Sequence, residues 1–324
     1  MITIPAFFAG WFFGTLTWPF LVPAVAVFDL FARRKLTVAR ALLMAYVFIM
    51  VEVISICVIG YLTLVKSRLS EERWLQAHNK LVGWWARVQF DWARRIFGLK
   101  VSVEGAEVLA EAPYMMFVRH VSVIDNLLPA VFAVDGHGVR LRWVLNFFLL
   151  RDPCIDILGH RLNCCFVRGA TQQSPREISR IRQMASDLQP AEGIVIYPEG
   201  TLFSPEKQER MLQRIARGRD EELAAFAAEL KNTLPPRLGG TVALLELRPD
   251  LDVVFCSHSG LENSLDKASI IAGGLNGQEL RIKFWRVKAA DIPRERAELR
   301  RWLFKQWRKV DAYVTAGMDT TTDG

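Results

Sequence analysis

Residues 114–125 read Tyr114-Met115-Met116-Phe117-Val118-Arg119-His120-Val121-Ser122-Val123-Ile124-Asp125. The opening five residues form a short apolar run, the signature of a buried strand. The texture recurs down the chain after Gly98. Lys100–Val103, Tyr114–Val118, Arg140–Leu145, Cys164–Val167, Gly193–Tyr197, Asp252–Cys256 and Leu280–Trp285 all read as strands. Helical stretches separate them. One opens on the capping box Ser174-Pro175-Arg176-Glu177, with proline at the first helical position, and runs toward Leu188. A longer charged helix is predicted from Pro205 to Lys231, closed by Pro235-Pro236, and a last one from Pro293 to Val314. Strands alternating with helices predict an α/β domain over residues 99–314, a mixed sheet flanked by helices. Residues 315–324 read as a polar, frayed, flexible tail.

Toward the N-terminus the composition changes. No charged side chain occurs from Met1 to Phe28, and Glu52 is the one charge between Ala41 and Val65. A bilayer core of about 30 Å asks for roughly 20 apolar helical residues, and both runs are long enough. Residues 1–69 are therefore expected to form a membrane-embedded helical hairpin. Pro19 and Pro23 should kink its first arm. A signal peptide is the rival reading, with Ala24-Val25-Ala26 as a cleavage site, but no lysine or arginine precedes the run. Arg33, Arg34, Lys35 and Arg40 lie between the arms, where the positive-inside rule points to the cytoplasm. A two-span hairpin would put the linker and the rest of the chain on opposite sides; a half-inserted hairpin removes that conflict. Glu52 is costly in lipid and is expected to face the partner helix or water. Residues 70–98 read as an amphipathic helix carrying four of the ten tryptophans beside Arg87, Arg94 and Arg95. That pairing suits a headgroup layer, though an ordinary core-facing stripe has the same period.

Composition excludes several classes. The chain has 324 residues, is 51% hydrophobic and carries a net charge of +7. So much apolar surface excludes whole-chain disorder. Five cysteines with no C-x-x-C pair exclude a disulfide scaffold and a zinc finger, and read as reduced thiols. The arginines are scattered beside apolar runs, which fits attraction to anionic lipid and no nucleic acid. No G-x-S-x-G, P-loop or G-x-G-x-x-G occurs.

Chemistry concentrates in three places. His120 follows its strand and Asp125 comes five residues later. In a strand that separation puts them on opposite faces, and in a helix about 140° apart, so they meet only if the chain turns between them. An imidazole oriented by a carboxylate is a general base. A lone histidine near an aspartate is usually structural. The second place is Ile194-Val195-Ile196-Tyr197-Pro198-Glu199-Gly200-Thr201, where a buried strand delivers a carboxylate into a glycine turn. In the third, Cys164-Cys165-Phe166-Val167-Arg168, a strand ends in a cation suited to phosphate. Read alone, Arg168 is a solvated strand-end arginine. His258 reads as structural, and His78, His137 and His160 have no partner at a telling spacing. Cys164 and Cys165 read as packing.

Together and in this order, the three blocks resemble the glycerolipid acyltransferases: 1-acylglycerol-3-phosphate and related lysophospholipid O-acyltransferases. The family's blocks read N-H-x4-D, G-x-x-F-I-x-R and F-P-E-G-T-R. His120 and Asp125 match the first. Phe166, Val167 and Arg168 match the second loosely. Pro198, Glu199, Gly200 and Thr201 match the third. The likeness covers roughly Trp74 to Val314, continuing through Leu234-Pro235-Pro236-Arg237 with Gly240 and into the last helix with Trp302 and Trp307. It leans toward the branch of lysocardiolipin and lysophosphatidylinositol acyltransferases. Arg119 replaces the asparagine before the histidine, and Leu202 replaces the arginine after Glu-Gly-Thr. The family's fourth block, an apolar run ending in proline, has no counterpart near Val253–Ser257.

The resemblance implies a membrane-bound transferase moving an acyl chain from acyl-CoA or acyl carrier protein to a lysophospholipid hydroxyl. The foremost acceptor is 1-acylglycerol 3-phosphate, giving phosphatidic acid. His120 and Asp125 would be catalytic. Arg168, Glu199, Gly200, Thr201 and Arg237 would bind the acceptor, with no metal or resident cofactor. The active site would face the cytoplasm, at a bacterial inner membrane rather than endoplasmic reticulum. Other lyso-acceptors, amino-acid lipids, or a non-catalytic lipid-binding protein of the same fold are the alternatives.

Overall fold

A computed structural model describes residues 3–168 and 175–322. Seven strands form one sheet: β1 (Lys100–Glu104), β2 (Tyr114–Val118), β3 (Arg140–Asn146), β4 (Cys165–Val167), β5 (Glu192–Ile196), β6 (Asp252–Ser259) and β7 (Glu279–Val287). Their spatial order is β1-β7-β6-β2-β5-β3-β4. All neighbours are parallel except β6 and β7. The chain leaves β2 toward β3 and β4, then returns through β5 to β6 on the other side of β2. The crevice at such a reversal, beyond the strands' carboxyl ends, is where open α/β sheets bind ligands.

β2 shows why this sheet needs two covers. Tyr114, Met116 and Val118 enter one core with Ala86, Phe90 and Ala93 of helix α3 (Glu71–Phe97). Met115 and Phe117 enter the opposite core with Leu303 and Trp307 of the last helix. The side-chain period of two supplies both faces from one apolar run.

The remaining helices are α1 (Thr3–Phe31), α2 (Thr37–Leu64), the single turn α4 (Leu127–Pro129), α5 (Pro153–Arg161), α6 (Pro175–Ser186), α7 (Pro205–Ala216), α8 (Glu221–Glu229), α9 (Leu238–Leu247), α10 (Lys267–Ile271) and α11 (Arg296–Thr322). All seven predicted strands are present; β6 runs on to Ser259 and so carries His258. The single helix expected over Pro205–Lys231 is instead two, α7 and α8. Gly218 lies in the break, and Asp220 restarts the helix by accepting Leu223 N–H at 3.0 Å. α11 continues past Val314 to Thr322, where the sequence predicted a frayed tail. The Ser174 cap lies outside the described residues.

α1 and α2 are each long and apolar enough to cross a membrane. They pack side by side, and the buried Asp29 caps α2 by accepting the Val38 and Ala39 N–H groups at 2.9 Å. α3 has caps at both ends: Ser70 accepts from Arg73 N–H, and Gly98 adopts φ +69°. Its Trp74 and Leu81 turn inward, while Trp84 and Trp92 remain 37% exposed. The expectation that Glu52 faces α1 or water is corrected. It is fully buried and accepts the Trp85 Nε1–H of α3 at 2.6 Å. A carboxylate inside an apolar layer needs such a donor.

The α/β domain follows α2 from end to end. A Cβ on Gly273 would lie 2.7 Å from Thr37 Cγ2. Val47 and Val51 belong to the domain's own core, Ile56 and Ile59 pack with Leu158 of α5, and Arg161 donates to Thr63 Oγ1 at 2.7 Å.

Candidate active site

His120 lies two residues past the end of β2, the strand between β6 and β5. The chain turns there, as the His–Asp spacing requires. Ser122 caps a 3-10 turn over Val123–Asn126, and Asp125 sits inside it. Asp125 Oδ2 accepts the N–H groups of Val121 at 2.6 Å and Ser122 at 2.8 Å, and Oδ1 faces His120 Nδ1 at 2.9 Å. Both carboxylate oxygens are therefore fixed, and a proton on Nδ1 makes Nε2 the basic nitrogen. Asp125 is fully buried, whereas the His120 side chain keeps 17% of its surface open. The Tyr197 ring lies 4.4 Å from the imidazole, and Phe203 N–H donates to His120 O at 2.7 Å.

Glu199 does not compete for the ring. Its Oε1 accepts the His120 backbone N–H and its Oε2 the Leu234 N–H, each at 2.9 Å. It thus ties the end of β2 to the loop before α9. α11 holds that same loop: Asp311 accepts the Lys231 and Asn232 N–H groups, and Trp307 Nε1 donates to Leu234 O. Gly200 takes φ +67°, a conformation a side chain would strain, so the turn brings Thr201 back beside Lys207.

Arg119, one residue before the histidine, points the other way along the strand and is fully buried. Its Nη1 donates to Glu262 Oε1 and His258 O, both at 2.7 Å, and its Nη2 to Asn232 O at 3.0 Å. His258 is buried against the same network, with Nε2 at 3.1 Å from Arg119 O and 3.8 Å from Asp125 Oδ2.

The three sequence blocks are not equally close. His120, Asp125 and Glu199 meet through direct hydrogen bonds, with Gly200 and Thr201 in the adjoining turn. Arg237 joins through its N–H to Pro198 O at 2.8 Å. Arg168 follows the edge strand β4, three strand spacings or about 14 Å along the sheet from β2. It is exposed, its guanidinium 5.1 Å from the Phe147 ring and its N–H bonded to Glu177 at 2.7 Å. Lys207 is the residue that sequence reasoning missed. Its ammonium donates to Leu202 O at 2.9 Å and Thr201 Oγ1 at 3.3 Å and acts electrostatically on His120. Its position three residues after the Ser204 cap, where the helix turns back toward Thr201, is the signal that could have found it.

Burial alone would lower the His120 pKa. The Asp125 charge, its hydrogen bond and Glu199 outweigh burial and hold it above the ordinary 6.5. Burial pushes Glu199 up to about 7, against Arg119 and two backbone donors. Burial takes His258 down to about 4, so it is neutral at physiological pH. A base must be unprotonated, so activity resting on His120 is present above its pKa and lost as pH falls through it. The expected acid limb of kcat/KM has its midpoint above 6.5, shaped jointly by His120 and Glu199. Asp125→Asn removes both principal raising causes and leaves burial, so the limb of its residual activity should move to lower pH. A pH–rate series on both proteins checks this; a limb moving upward would contradict the assignment.

As for metal ligands, Glu52, Asp152 and Cys154 bring three ligand atoms within 4.8 Å of one another. Both carboxylates already have protein donors: Trp85 for Glu52, and the Cys154 and Ile155 N–H groups for Asp152.

No family model matches the chain. Among solved structures, it is similar to the crystal structure of the 1-acyl-sn-glycerophosphate (LPA) acyltransferase PlsC from Thermotoga maritima. The TM-score is 0.56 at 16% identity, covering 86% of this chain and 99% of that one. The likeness shows a shared fold: a mixed α/β sheet flanked by helices.

Proposed function

We propose that the protein is a membrane-associated O-acyltransferase acting on lysophospholipids. The observation that carries this is the His120 Nδ1–Asp125 Oδ1 contact of 2.9 Å just past the end of the central strand β2, on an imidazole that stays partly open to solvent. Nε2 removes the proton of the acceptor hydroxyl as its oxygen attacks the thioester carbonyl of acyl-CoA or acyl carrier protein. The tetrahedral intermediate collapses, the C–S bond breaks, and the imidazolium returns its proton to the departing thiolate. Asp125 stabilises that imidazolium and holds the tautomer. The likeness in fold to a 1-acyl-sn-glycerophosphate acyltransferase supports 1-acylglycerol 3-phosphate as the foremost acceptor, with phosphatidic acid as the product.

The acceptor phosphate needs cations near the base. Leu202 stands where the family motif has arginine, but Lys207 places an ammonium on the Leu202 carbonyl itself. Lys207 therefore takes over that contact, with Arg237 and Arg168 farther along the crevice. The substitution also favours a second reading, in which the headgroup is larger, as in lysophosphatidylinositol or lysocardiolipin. Lys207→Met should raise KM for 1-acylglycerol 3-phosphate about tenfold or more, the scale of one charge-assisted hydrogen bond. Turnover of phosphate-free 1-acylglycerol should change little. An acceptor panel with mass detection of the lipid formed tests both points; equal losses on both acceptors would reject the phosphate role.

The hairpin lies in one leaflet, with the active site on the cytoplasmic side of a bacterial inner membrane. A 29-residue helix is about 43 Å long, enough to span. Yet α2 has the domain against it from Thr37 to Thr63, so spanning would draw the domain into lipid. Cations also flank both ends: Arg33, Arg34 and Lys35 at the linker, Lys66 and Arg68 at the other. That pattern fits a hairpin in the headgroup plane, its exposed Phe12, Phe13, Phe20 and Phe31 toward the acyl chains.

A further inference from the structure

At the end of the hairpin away from the linker, a groove of about 420 Å³ runs between α1, α2 and α5. Ile4, Ile56, Ile59, Leu64 and Ile157 make its apolar wall, and Arg161 closes one end. Its size lies within the range of small-molecule sites.

Arg161 is held in an unusual way for a half-buried cation. Nη2 donates to Thr63 Oγ1 and Nη1 to His78 Nε2, both at 2.7 Å. His78 Nδ1 is 2.7 Å from Trp74 O and must donate to it, so Nε2 is a neutral acceptor. Burial lowers the His78 pKa, in keeping with a neutral ring. Among the described residues no carboxylate lies within 4.0 Å of the Arg161 guanidinium. Neutral groups thus fix its position and leave its charge unanswered. A second cation joins it: Lys66, 4.0 Å from Glu71 Oε2 in an exposed pair, lies 4.3 Å from the Trp74 ring centroid and Arg161 5.3 Å from the same ring. Among the described residues the buried Trp74 Nε1–H has no acceptor.

We propose that this groove binds one anionic phospholipid, an acyl chain along the isoleucine wall and the phosphate on Arg161 and Lys66. The argument for the occupant is charge complementarity at the end of an apolar trough beside a hairpin whose phenylalanines face outward. The site is distinct from the acceptor site: its cations are Arg161 on α5 and Lys66 after α2, its wall comes from α1, α2 and α5, and among the described residues none of these bonds to His120, Glu199 or Lys207. Its role is to seat the end of the hairpin against α5 in a negatively charged leaflet.

Native mass spectrometry of the full-length protein, released from micelles containing equal phosphatidylglycerol and phosphatidylcholine, tests the proposal. One retained phosphatidylglycerol is expected, and Arg161→Gln should weaken its retention about tenfold or more. Leu64→Asp places a negative charge on the exposed wall of the trough with Arg161 intact and should also lose the lipid, which keeps the test sound if the arginine variant fails to fold. Arg34→Gln, at the other end of the hairpin, and His120→Ala should both retain it, separating this site from general surface charge and from acyl transfer. Glycerol 3-phosphate and inorganic phosphate at matching concentration should not displace it. Wild-type retention in both groove variants, displacement by phosphate alone, or loss in His120→Ala would overturn the assignment.

Discussion

Replacing His120 by alanine should lower acyl-transfer turnover by about 10²–10⁴-fold, the usual contribution of a positioned general base. The structure explains why no neighbour would substitute. Glu199 lies near the base, but its oxygens take the His120 and Leu234 N–H groups at 2.9 Å and face backbone rather than the crevice. His258 is fully buried behind Asp125 and meets no acceptor. Tyr197 is buried, and burial holds its phenol proton far above the ordinary value. Asp125→Asn should also produce a large loss, because an amide in that place can present its N–H to Nδ1 and drive the imidazole proton onto Nε2. Residues that act as a unit are not additive, so the double variant should fall close to the single ones. Thiol release from acyl-CoA, with mass detection of the lipid, measures all three. Unchanged melting in His120→Ala would show that the loss is chemical. Acyl transfer by His120→Ala within tenfold of wild type would remove His120 from the reaction.

The strands were legible because a strand buried on both faces has no polar face to confuse the reading, as in Tyr114–Val118. The approach of His120 to Asp125 was legible only as a condition, that the chain turn between them; Ser122 and the backbone N–H groups of Val121 and Ser122 meet it. Other parts of the site were not readable locally. Arg119 looks like a departure from the family pattern until Glu262, 143 residues away, is seen to receive it. Lys207 looks like one charge on a charged helix, and only the turn at Gly200 brings its ammonium to Leu202. The α7–α8 break was within reach of the sequence: Gly218 and a capping aspartate interrupt the run. The amphipathic period of α3 could not choose between lipid and core. Its neighbours made the choice, burying Trp74 and leaving Trp92 partly exposed.

Arg119→Ala is expected to cost about 3–5 kcal/mol of stability, the range for breaking a buried ion pair from one side. The change leaves the largely buried Glu262 carboxylate with the Gly260 N–H at 2.7 Å and no cation. It also leaves His258 O and Asn232 O without their donor. Replacing both partners by methionine should recover much of the loss, because the desolvation penalty of two charges disappears with them. Urea unfolding in detergent of wild type, both single variants and the double gives the coupling directly. Stability is one of two expected effects, for Arg119 also acts on the active site. Its Nη2 holds Asn232, two residues before the Leu234 N–H that binds Glu199, and its charge opposes the burial that pushes Glu199 up to about 7. Removing the guanidinium should raise the Glu199 pKa further, so the ionised form is reached only at higher pH. A Glu199 that stays neutral no longer raises the His120 pKa, so the acid limb of activity in the folded double variant should move to lower pH, the same direction as expected for Asp125→Asn. A double variant with wild-type stability and a shifted limb would identify Arg119 as a positioning residue. An unshifted limb would confine it to holding the β2, β6 and α8–α9 segments together.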